Sequence, residues 1–152
     1  DCMRSMTRLG LVEPIRHVVV SGTPFLGICV GMQVLFDYGE ELGGSEGLGL
    51  LPGRVTRFAV RASLKVPHTG WNLVEPVVST PLLHGLPKHA WAYFNHGYVC
   101  QAAVENALAT TDYGGPFASV VGLGNLYGTQ FHPEKSQSIG LAILRNFVQR
   151  VS

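Results

Sequence analysis

A cysteine flanked by two glycines constrains this chain more than any other feature. Cys29 follows an apolar run at residues 25–28 that is typical of a buried strand, and residues 32–42 have a helix-like composition. Gly27 and Gly31 give the G-x-C-x-G spacing of a nucleophile elbow. Such a turn holds its central residue in a strained conformation, and glycines avoid collisions of Cβ atoms across it. The motif therefore predicts that Cys29 is projected from the end of a strand.

The helix expected after Cys29 would also affect its chemistry. The partial positive charge at a helix N-terminus lowers the pKa of a nearby thiol and favours the reactive thiolate. The backbone N–H of Val30 is placed to donate to an oxyanion. A buried structural cysteine beside two turn-forming glycines fits this motif alone equally well.

A second motif supplies the partners that a cysteine nucleophile needs. His132 and Glu134 are two residues apart at the end of a predicted strand, and Pro133 stiffens the link between them. The histidine can take and return a proton, and the carboxylate can orient the imidazole. An isolated H-x-E sequence is commonplace, but together with the elbow it predicts a catalytic triad.

The remaining pattern indicates an α/β fold. Glycines and prolines divide the chain into short periodic segments. The expected elements are two helices over 1–21, β-structure over 54–78 including Val60, strands near 90–94, 98–99 and 108–111, a hairpin of 119–123 and 126–131 around Gly124-Asn125, and a final helix after a Ser138 cap. This order predicts an α/β sheet with an antiparallel elaboration, within one domain that covers 1–152.

Composition excludes several classes of function. The net charge is +1 and only 14% of the 152 residues are charged, so neither nucleic acid nor an anionic membrane is an expected partner. No apolar run approaches the ~20 residues of a membrane span, and no secretory leader is visible. Three widely spaced cysteines form no disulfide framework, which favours the cytoplasm. The cysteines and histidines show no metal-ligand spacing, and we interpret the remaining histidines as structural or surface groups: His17, His68, His84, His89 and His96.

These motifs resemble the class I, triad-type glutamine amidotransferases. GICVGMQ carries Cys29, and QFHPEKSQ follows about a hundred residues later. The finer resemblance is to the glutaminase subunits of imidazole glycerol phosphate synthase, and GWN and HPEKSQ distinguish them from other triad amidotransferases. Between Pro24 and Phe147, the matching segments are PFLGICVGMQVLFDYGEE, GLGLLPGRVTRF, KVPHTGWN, YFNHGY, ATTDYG and GTQFHPEKSQSIGLAILRNF.

The resemblance implies a doubly wound, mostly parallel sheet and a thioester mechanism without a metal or cofactor. Cys29 would attack the side-chain amide of glutamine, with Val30 N–H as an oxyanion donor. His132 would protonate the departing ammonia and then activate water, while Glu134 orients it. Glutamine-binding positions of the family correspond to Gly31, Gln33, Glu41, Gly97 and Tyr98.

The same resemblance implies a partner. Ammonia would pass through a channel into a (β/α)8-barrel cyclase subunit of a heterodimer, which makes imidazole glycerol phosphate and an aminoimidazole carboxamide ribotide in histidine biosynthesis. Positions that face the partner in this family correspond to Trp71, Asn72, Tyr93 and Lys135. Core packing is the ordinary alternative for Trp71 and Tyr98, and a solvated side chain is the alternative for Lys135.

The chain departs from the family pattern at its N-terminus. The family has further strands and a glycine-rich loop that donates a second oxyanion N–H, and neither is found before Cys29. We therefore expect an N-terminally truncated domain with weakened activity, because loss of one oxyanion donor costs ~10²–10³ in rate. Exposed strand edges would favour self-association. Asn95 and Gly97 also differ from the family, which has an apolar and a small hydroxyl residue there.

Three other functions fit parts of the pattern. The chain could serve another triad amidotransferase, such as those of anthranilate or guanine-nucleotide synthesis. A cysteine peptidase or γ-glutamyl hydrolase of the same fold would act without a partner. A truncated domain could retain the triad by descent and act only in binding, in which case Cys29 would react no faster than a model thiol.

Overall fold

The computed structural model describes residues 2–58 and 64–151, so the predicted β-position Val60 lies outside the described residues. Helices within this part are α1 Cys2–Arg8, α2 Val12–Val20, α3 Val30–Gln33 and α4 Gln137–Asn146, which continues as a π-helical turn Phe147–Val151. The strands are β1 Phe25–Ile28, β2 Phe36–Gly39, β3 Ser45–Glu46, β4 Leu51–Arg57, β5 His68–Pro76, β6 Ala90–His96, β7 Tyr98–Ala102, β8 Ala107–Asp112, β9 Pro116–Leu123 and β10 Leu126–Thr129. Short 3₁₀ turns lie at Glu41–Gly43, Pro81–Leu83, Val104–Asn106 and Pro133–Lys135. None of the helices in this part is long and apolar enough to cross a membrane.

The strands form two sheets. One has the order β1-β10-β9-β8-β5-β6, and the other has the order β3-β2-β4-β7. Within the described residues, parallel pairing joins β1 to β10 and β2 to β4, and the other neighbours are antiparallel. The α/β class is confirmed, and the sheet is mixed rather than mostly parallel. Parallel neighbours need long crossovers, whereas only loops and 3₁₀ turns separate the strands from β5 to β10.

Two apolar cores hold the sheets and helices together. The first packs the face of β5, β6, β8 and β9 against α4, and it includes the fully buried Phe94, Phe131 and Ile143. The predicted stripe of the final helix packs there through Ile139, Ile143, Phe147 and Val151. The second core packs side chains of β2 and β4 against side chains of α1 and α2. Its large, completely buried members are Met32, Leu35 and Phe36.

The helix expected over residues 32–42 is wrong beyond its first turn. The chain leaves α3 at Val34 and forms strand β2. The carbonyl groups of Val34, Leu35 and Phe36 accept from N–H groups of residues 48–51, so a distant segment replaces the helical hydrogen bonds. Leu35 and Phe36 are both completely buried, which a solvent-facing helix could not achieve.

Other local predictions are confirmed, with one correction. Gly10, with φ +67°, follows α1 as predicted, and α2 ends before Ser21. Gly124, with φ +59°, joins the predicted β9–β10 hairpin. Helix α4 begins at Gln137, so the residue at its N-terminal cap is Ser136 rather than Ser138. The Ser136 hydroxyl donates to the His132 carbonyl at 2.6 Å and not to the helix.

Candidate active site

Parallel pairing of β1 with β10 brings the two predicted motifs to one edge of the sheet. Ile28 lies opposite Thr129, and Cys29 N–H donates to the Thr129 carbonyl at 2.7 Å. His132 follows three residues after Thr129. Because the carboxyl ends of parallel strands meet at the same edge, the cysteine and the histidine leave the sheet on the same side.

The turn at Cys29 has the predicted elbow conformation. Cys29 has φ +52° and ψ −110°, a region that costs energy for a residue with a side chain. A Cβ at Gly27 would collide with the carbonyl group of Gly31, so the predicted steric role of Gly27 is confirmed. The same role for Gly31 is wrong, because a Cβ there would meet nothing within 4 Å. Gly31 leaves open space beside the cysteine.

The expected low pKa of Cys29 is contradicted in this conformation. Burial of the thiol raises its pKa above the ordinary value, and the negative charge of Glu134 raises it further. The Val30 N–H, the Gln130 side chain and the charge of Lys135 act in the opposite direction. Helix α3 has only four residues, so its N-terminus offers little beyond the Val30 N–H.

His132 and Glu134 form a close, oriented pair. Imidazole Nδ1 lies 2.7 Å from Glu134 Oε1, which assigns the Nδ1 proton to this contact and directs Nε2 away from the carboxylate. The backbone is held on both sides, since His132 N–H donates to the Tyr93 carbonyl and Ser136 donates to the His132 carbonyl. A histidine held in this way can exchange protons through Nε2.

Cys29 makes different contacts in this conformation. Its Sγ–H donates to the Asn95 carbonyl at 3.9 Å, and Gln130 Nε2 donates to Sγ at the same distance. Neither of these two hydrogen bonds of Cys29 Sγ involves His132. Sequence reasoning missed Gln130 as a neighbour of the nucleophile; its only local signal is its place two residues before the histidine, at the end of the same strand.

The predicted glutamine-binding residues divide into two groups. A cavity of about 80 Å³ is lined by Gln33 and Glu41 together with Val30, and by Cys2 and Met3 of α1. Gly31 occupies the first turn of α3 and is half-buried.

The second group lies on the β6–β7 connection. The Gly97 carbonyl accepts from Phe58 N–H, and the Tyr98 carbonyl accepts from Gln33 Nε2 at 3.3 Å. Gln33 therefore links the cavity with this connection.

Three of the four predicted partner-facing residues form one surface. Trp71 lies opposite Tyr93 on β5 and β6, and their rings make an edge contact with centroids 6.1 Å apart. Lys135 Nζ lies 6.0 Å from the centre of the Tyr93 ring. Trp71 is 45% exposed, so core packing does not account for it. We name Trp71, Tyr93 and Lys135 the aromatic surface.

Asn72 does not share this surface. Its amide nitrogen donates to the Asp112 carbonyl at 2.8 Å and lies 3.3 Å from His68 Nε2. Trp91, which sequence reasoning missed, is 50% exposed two residues before Tyr93. The period of two along a strand is the signal that places Trp91 on the same face as Tyr93.

The part of the chain that the structure describes contains no cluster of metal-ligating side chains. Across residues 2–58 and 64–151, no group of three or more His, Cys, Asp or Glu side chains could hold a metal ion.

Comparisons to known proteins agree with the fold. The chain belongs to the class I glutamine amidotransferases, since the family described as glutamine amidotransferase class-I matches residues 4–151. Solved structures share the fold: PurLQS from Thermotoga maritima has a TM-score of 0.70 at 19% identity, over 93% of this chain and 68% of that chain. A glutamine amidotransferase from the same organism has a TM-score of 0.63 at 19% identity, over 92% and 67%.

Curated relatives are more similar in sequence. The imidazole glycerol phosphate synthase subunit HisH of Desulfitobacterium hafniense is 49% identical over 148 residues, which cover 97% of this chain and 69% of the relative. The subunit of the same name from Symbiobacterium thermophilum is also 49% identical, over 98% of this chain and 70% of the relative. The chain therefore spans about 70% of the length of these relatives.

Proposed function

We propose that this chain is the glutaminase subunit of an imidazole glycerol phosphate synthase. The observation that carries the proposal is the 49% identity, over 97% of the chain, with a relative named imidazole glycerol phosphate synthase subunit HisH. The geometry supports it, because a cysteine elbow and an oriented histidine–carboxylate pair share one edge of the sheet. The reaction is hydrolysis of glutamine to glutamate, with ammonia delivered to a synthase partner.

The proposed first step is formation of a thioester on Cys29. The thiolate attacks the side-chain carboxamide carbon of glutamine, and the oxygen accepts a hydrogen bond from Val30 N–H as its negative charge develops. His132 Nε2–H donates its proton to the departing nitrogen, so ammonia leaves. Glu134 stabilises the imidazolium that precedes this transfer.

The second step returns the enzyme to its starting state. His132 removes a proton from water, and the hydroxide attacks the thioester carbonyl. Glutamate departs and Cys29 is again a thiolate, with the proton on His132. The cavity lined by Gln33, Glu41 and Val30 would receive the substrate, and Gly31 would let it approach α3 closely.

The partner of this proposal is a (β/α)8-barrel cyclase subunit, which joins the chain in a heterodimer. The aromatic surface supports this assignment, because exposed aromatic side chains with a neighbouring cation are typical anchors of protein interfaces. We assign 1–152 to one domain and the protein to the cytoplasm. The partner would use the ammonia to make imidazole glycerol phosphate and an aminoimidazole carboxamide ribotide.

The proposal is tested by measuring glutamate release. The protein is incubated with glutamine and a cyclase barrel subunit, with and without the ribotide ligand of that subunit, beside a Cys29→Ala control. Release that depends on the partner and is absent from the variant supports the proposal. Absence of release, both from this chain and from a chain extended to the length of its relatives, would overturn the glutaminase assignment.

A further inference from the structure

A chain of buried polar groups ends on the proposed nucleophile. Gln130 is completely buried, and its Nε2 donates to Cys29 Sγ at 3.9 Å. Its Oε1 accepts from Gln33 Nε2 at 3.1 Å, and Gln33 Nε2 also donates to the Tyr98 carbonyl at 3.3 Å. A carbonyl can only accept, so the nitrogen of Gln33 must face Tyr98. The same nitrogen then meets the oxygen of Gln130, which leaves the nitrogen of Gln130 for the sulfur.

Two buried histidines continue this chain from the other side of Tyr98. His96 Nδ1 lies 2.7 Å from the Tyr98 carbonyl oxygen, and His96 Nε2 lies 3.0 Å from His68 Nδ1. The two residues are opposite each other on β5 and β6, and they are 5% and 3% exposed. His68 Nε2 in turn lies 3.3 Å from Asn72 Nδ2, whose other contact is the Asp112 carbonyl.

These contacts allow only one arrangement of protons on neutral rings. His96 Nδ1 must carry a hydrogen, because Tyr98 offers an acceptor, so His96 Nε2 accepts. His68 Nδ1 then donates to it, and His68 Nε2 accepts from Asn72. Burial lowers the pKa of both histidines to about 4, in agreement with two neutral rings at neutral pH. Every hydrogen bond therefore has one defined direction.

Apolar rings enclose the histidine pair and keep water away from it. Phe94 stacks on His68 with centroids 4.8 Å apart, and Tyr113 stacks on it at 3.9 Å. Phe58 lies 5.1 Å from the His96 ring. Burying polar rings among aromatic side chains is costly unless their nitrogens are hydrogen-bonded, and a fully satisfied network specifies one geometry. The pair therefore holds the Tyr98 carbonyl in a fixed direction.

We propose that Gln130 is a positioning residue for the Cys29 thiol, and that the buried His68–His96 pair holds it in place through Tyr98 and Gln33. This inference rests on the proposed function, because it assigns a role toward the same nucleophile. The amide of Gln130 stabilises negative charge on sulfur and fixes the direction of Sγ. Asn72 forms the opposite end of the network, where its amide nitrogen contacts His68 and the Asp112 carbonyl.

The electrostatic surroundings of Cys29 define what a pH profile would report. The charges of Glu134 and Lys135, on the turn after β10, affect the pKa of Cys29. Cys29 in turn affects the pKa of Cys100 on β7. Exchange of Gln130 for an apolar residue keeps the charges of Glu134 and Lys135, and it also removes the acceptor of the Cys100 Sγ–H at 4.0 Å. A change in the titration of Cys29 in such a variant therefore reports the lost amide donor.

The proton arrangement is tested first on the unaltered chain. Nitrogen NMR of ¹⁵N-labelled histidine distinguishes the two neutral tautomers of each ring. We expect His68 and His96 both to be neutral with the proton on Nδ1 between pH 5.5 and 8. A proton on Nε2 of either ring, or protonation of either ring within this interval, would overturn this arrangement of protons.

The role toward Cys29 is tested by the pH dependence of its alkylation with iodoacetamide, followed on the Cys29 peptide by mass spectrometry. Gln130→Leu is expected to move the midpoint upward and to slow alkylation below the midpoint by roughly threefold to tenfold, the effect of about half to one pKa unit. Gln101→Leu, which removes an exposed glutamine bonded to Thr56, is the matched control and should leave the profile unchanged. An unchanged profile in Gln130→Leu would overturn the proposal.

The histidine end of the network has its own pair of variants. His96→Leu removes the donor to the Tyr98 carbonyl and should shift the Cys29 profile in the same direction. His96→Asn places an amide nitrogen near the position of Nδ1 and should restore most of the shift. If His96→Leu and His96→Asn give the same pH dependence of Cys29 alkylation, the histidine pair does not hold Gln130 in place. Neither readout involves glutamine, so failure of glutaminase activity and failure of this inference are separate results.

Discussion

The contact between His132 and Glu134 is the most informative single-residue feature of the site. A distance of 2.7 Å between Nδ1 and Oε1 places the carboxylate where it can hold one tautomer of the imidazole and stabilise its protonated form. Burial meanwhile raises the pKa of Cys29, so the thiolate must be formed by proton transfer rather than by a low intrinsic pKa. The proposed chemistry therefore depends strongly on an oriented base.

We predict that Glu134→Gln lowers kcat for glutamine hydrolysis by about 10²- to 10⁴-fold, the range of a general acid–base contribution. The amide nitrogen of glutamine cannot accept a hydrogen bond from His132 Nδ1. The substitution also removes the negative charge that stabilises the imidazolium. Steady-state glutamate release with the partner present measures the effect. Glu105→Gln, an exposed site on another turn, is the control, and equal kcat values for the two variants would contradict the assignment.

The buried histidine pair predicts a dependence of stability on acid. His68 and His96 have a pKa of about 4 in the folded chain against 6.5 for an exposed histidine, so between these values the unfolded chain binds more protons. Stability is therefore lost as the pH falls from 6.5 toward 4. We expect the free energy of unfolding in urea to fall by roughly 2–4 kcal/mol between pH 7 and 5. His89→Gln, at an exposed position, should show the same loss, and equal stability of the parent chain at both pH values would refute the neutral pair.

At the scale of elements, the β1–α3 elbow depends on how closely the strand and the helix approach each other. The backbone of Gly31 and Met32 fills the space where a side chain at position 27 would lie. At position 31 the corresponding space is open, with no atom within 4 Å of an added Cβ. The two glycines of one motif therefore differ, because close packing requires a glycine only at position 27.

Alanine substitutions separate these two functions. Gly27→Ala is expected to destabilise the fold by about 1–3 kcal/mol or more, because backbone must move to relieve the overlap. Gly31→Ala should leave stability within about 1 kcal/mol, since alanine suits a helix better than glycine does. Gly31→Ala should also raise KM for glutamine, if the open space beside Gly31 receives the substrate. Urea denaturation and steady-state kinetics measure the pair, and equal loss of stability in both would contradict the described packing.

Local signals account for which elements could be predicted from sequence. Gly10 and Gly124 end or join elements by adopting positive φ, and the stripe of Ile139, Ile143 and Phe147 marks the last helix. Strand β2 could not be predicted in this way, because its carbonyl groups bond to residues 48–51. For the site, His132 and Glu134 are neighbours in sequence and their contact was predictable. Gln130 and the histidine pair gain their roles only from strand register and burial.

At the scale of the whole molecule, the aromatic surface and the active-site edge are joined through one turn. His132 N–H donates to the carbonyl of Tyr93, and Lys135 of the same turn lies over the Tyr93 ring. A partner seated on the aromatic surface would therefore contact the segment that carries the proposed base. Under the proposed function, binding of the partner would therefore act on the backbone that holds His132.

Removal of an aromatic anchor should weaken binding of the barrel subunit. Trp71→Ala is predicted to cost about 2 kcal/mol or more, as for a central interface residue, which raises Kd about 30-fold. Isothermal titration calorimetry measures this change. Tyr38→Ala, which removes an exposed aromatic side chain on β2 of the other sheet, should leave Kd unchanged. Equal affinities for both variants would place the partner elsewhere.

The central claim is that Cys29 carries the glutamyl group during glutamine hydrolysis. Acid quenching of the reaction with the partner, followed by mass spectrometry of the Cys29 peptide, tests it most directly. The account predicts a mass increase of one glutamyl group on Cys29, removable by hydroxylamine, together with loss of glutamate release in Cys29→Ala. Glutamate release that continues in Cys29→Ala, with no glutamyl group on Cys29 in the parent chain, would contradict it.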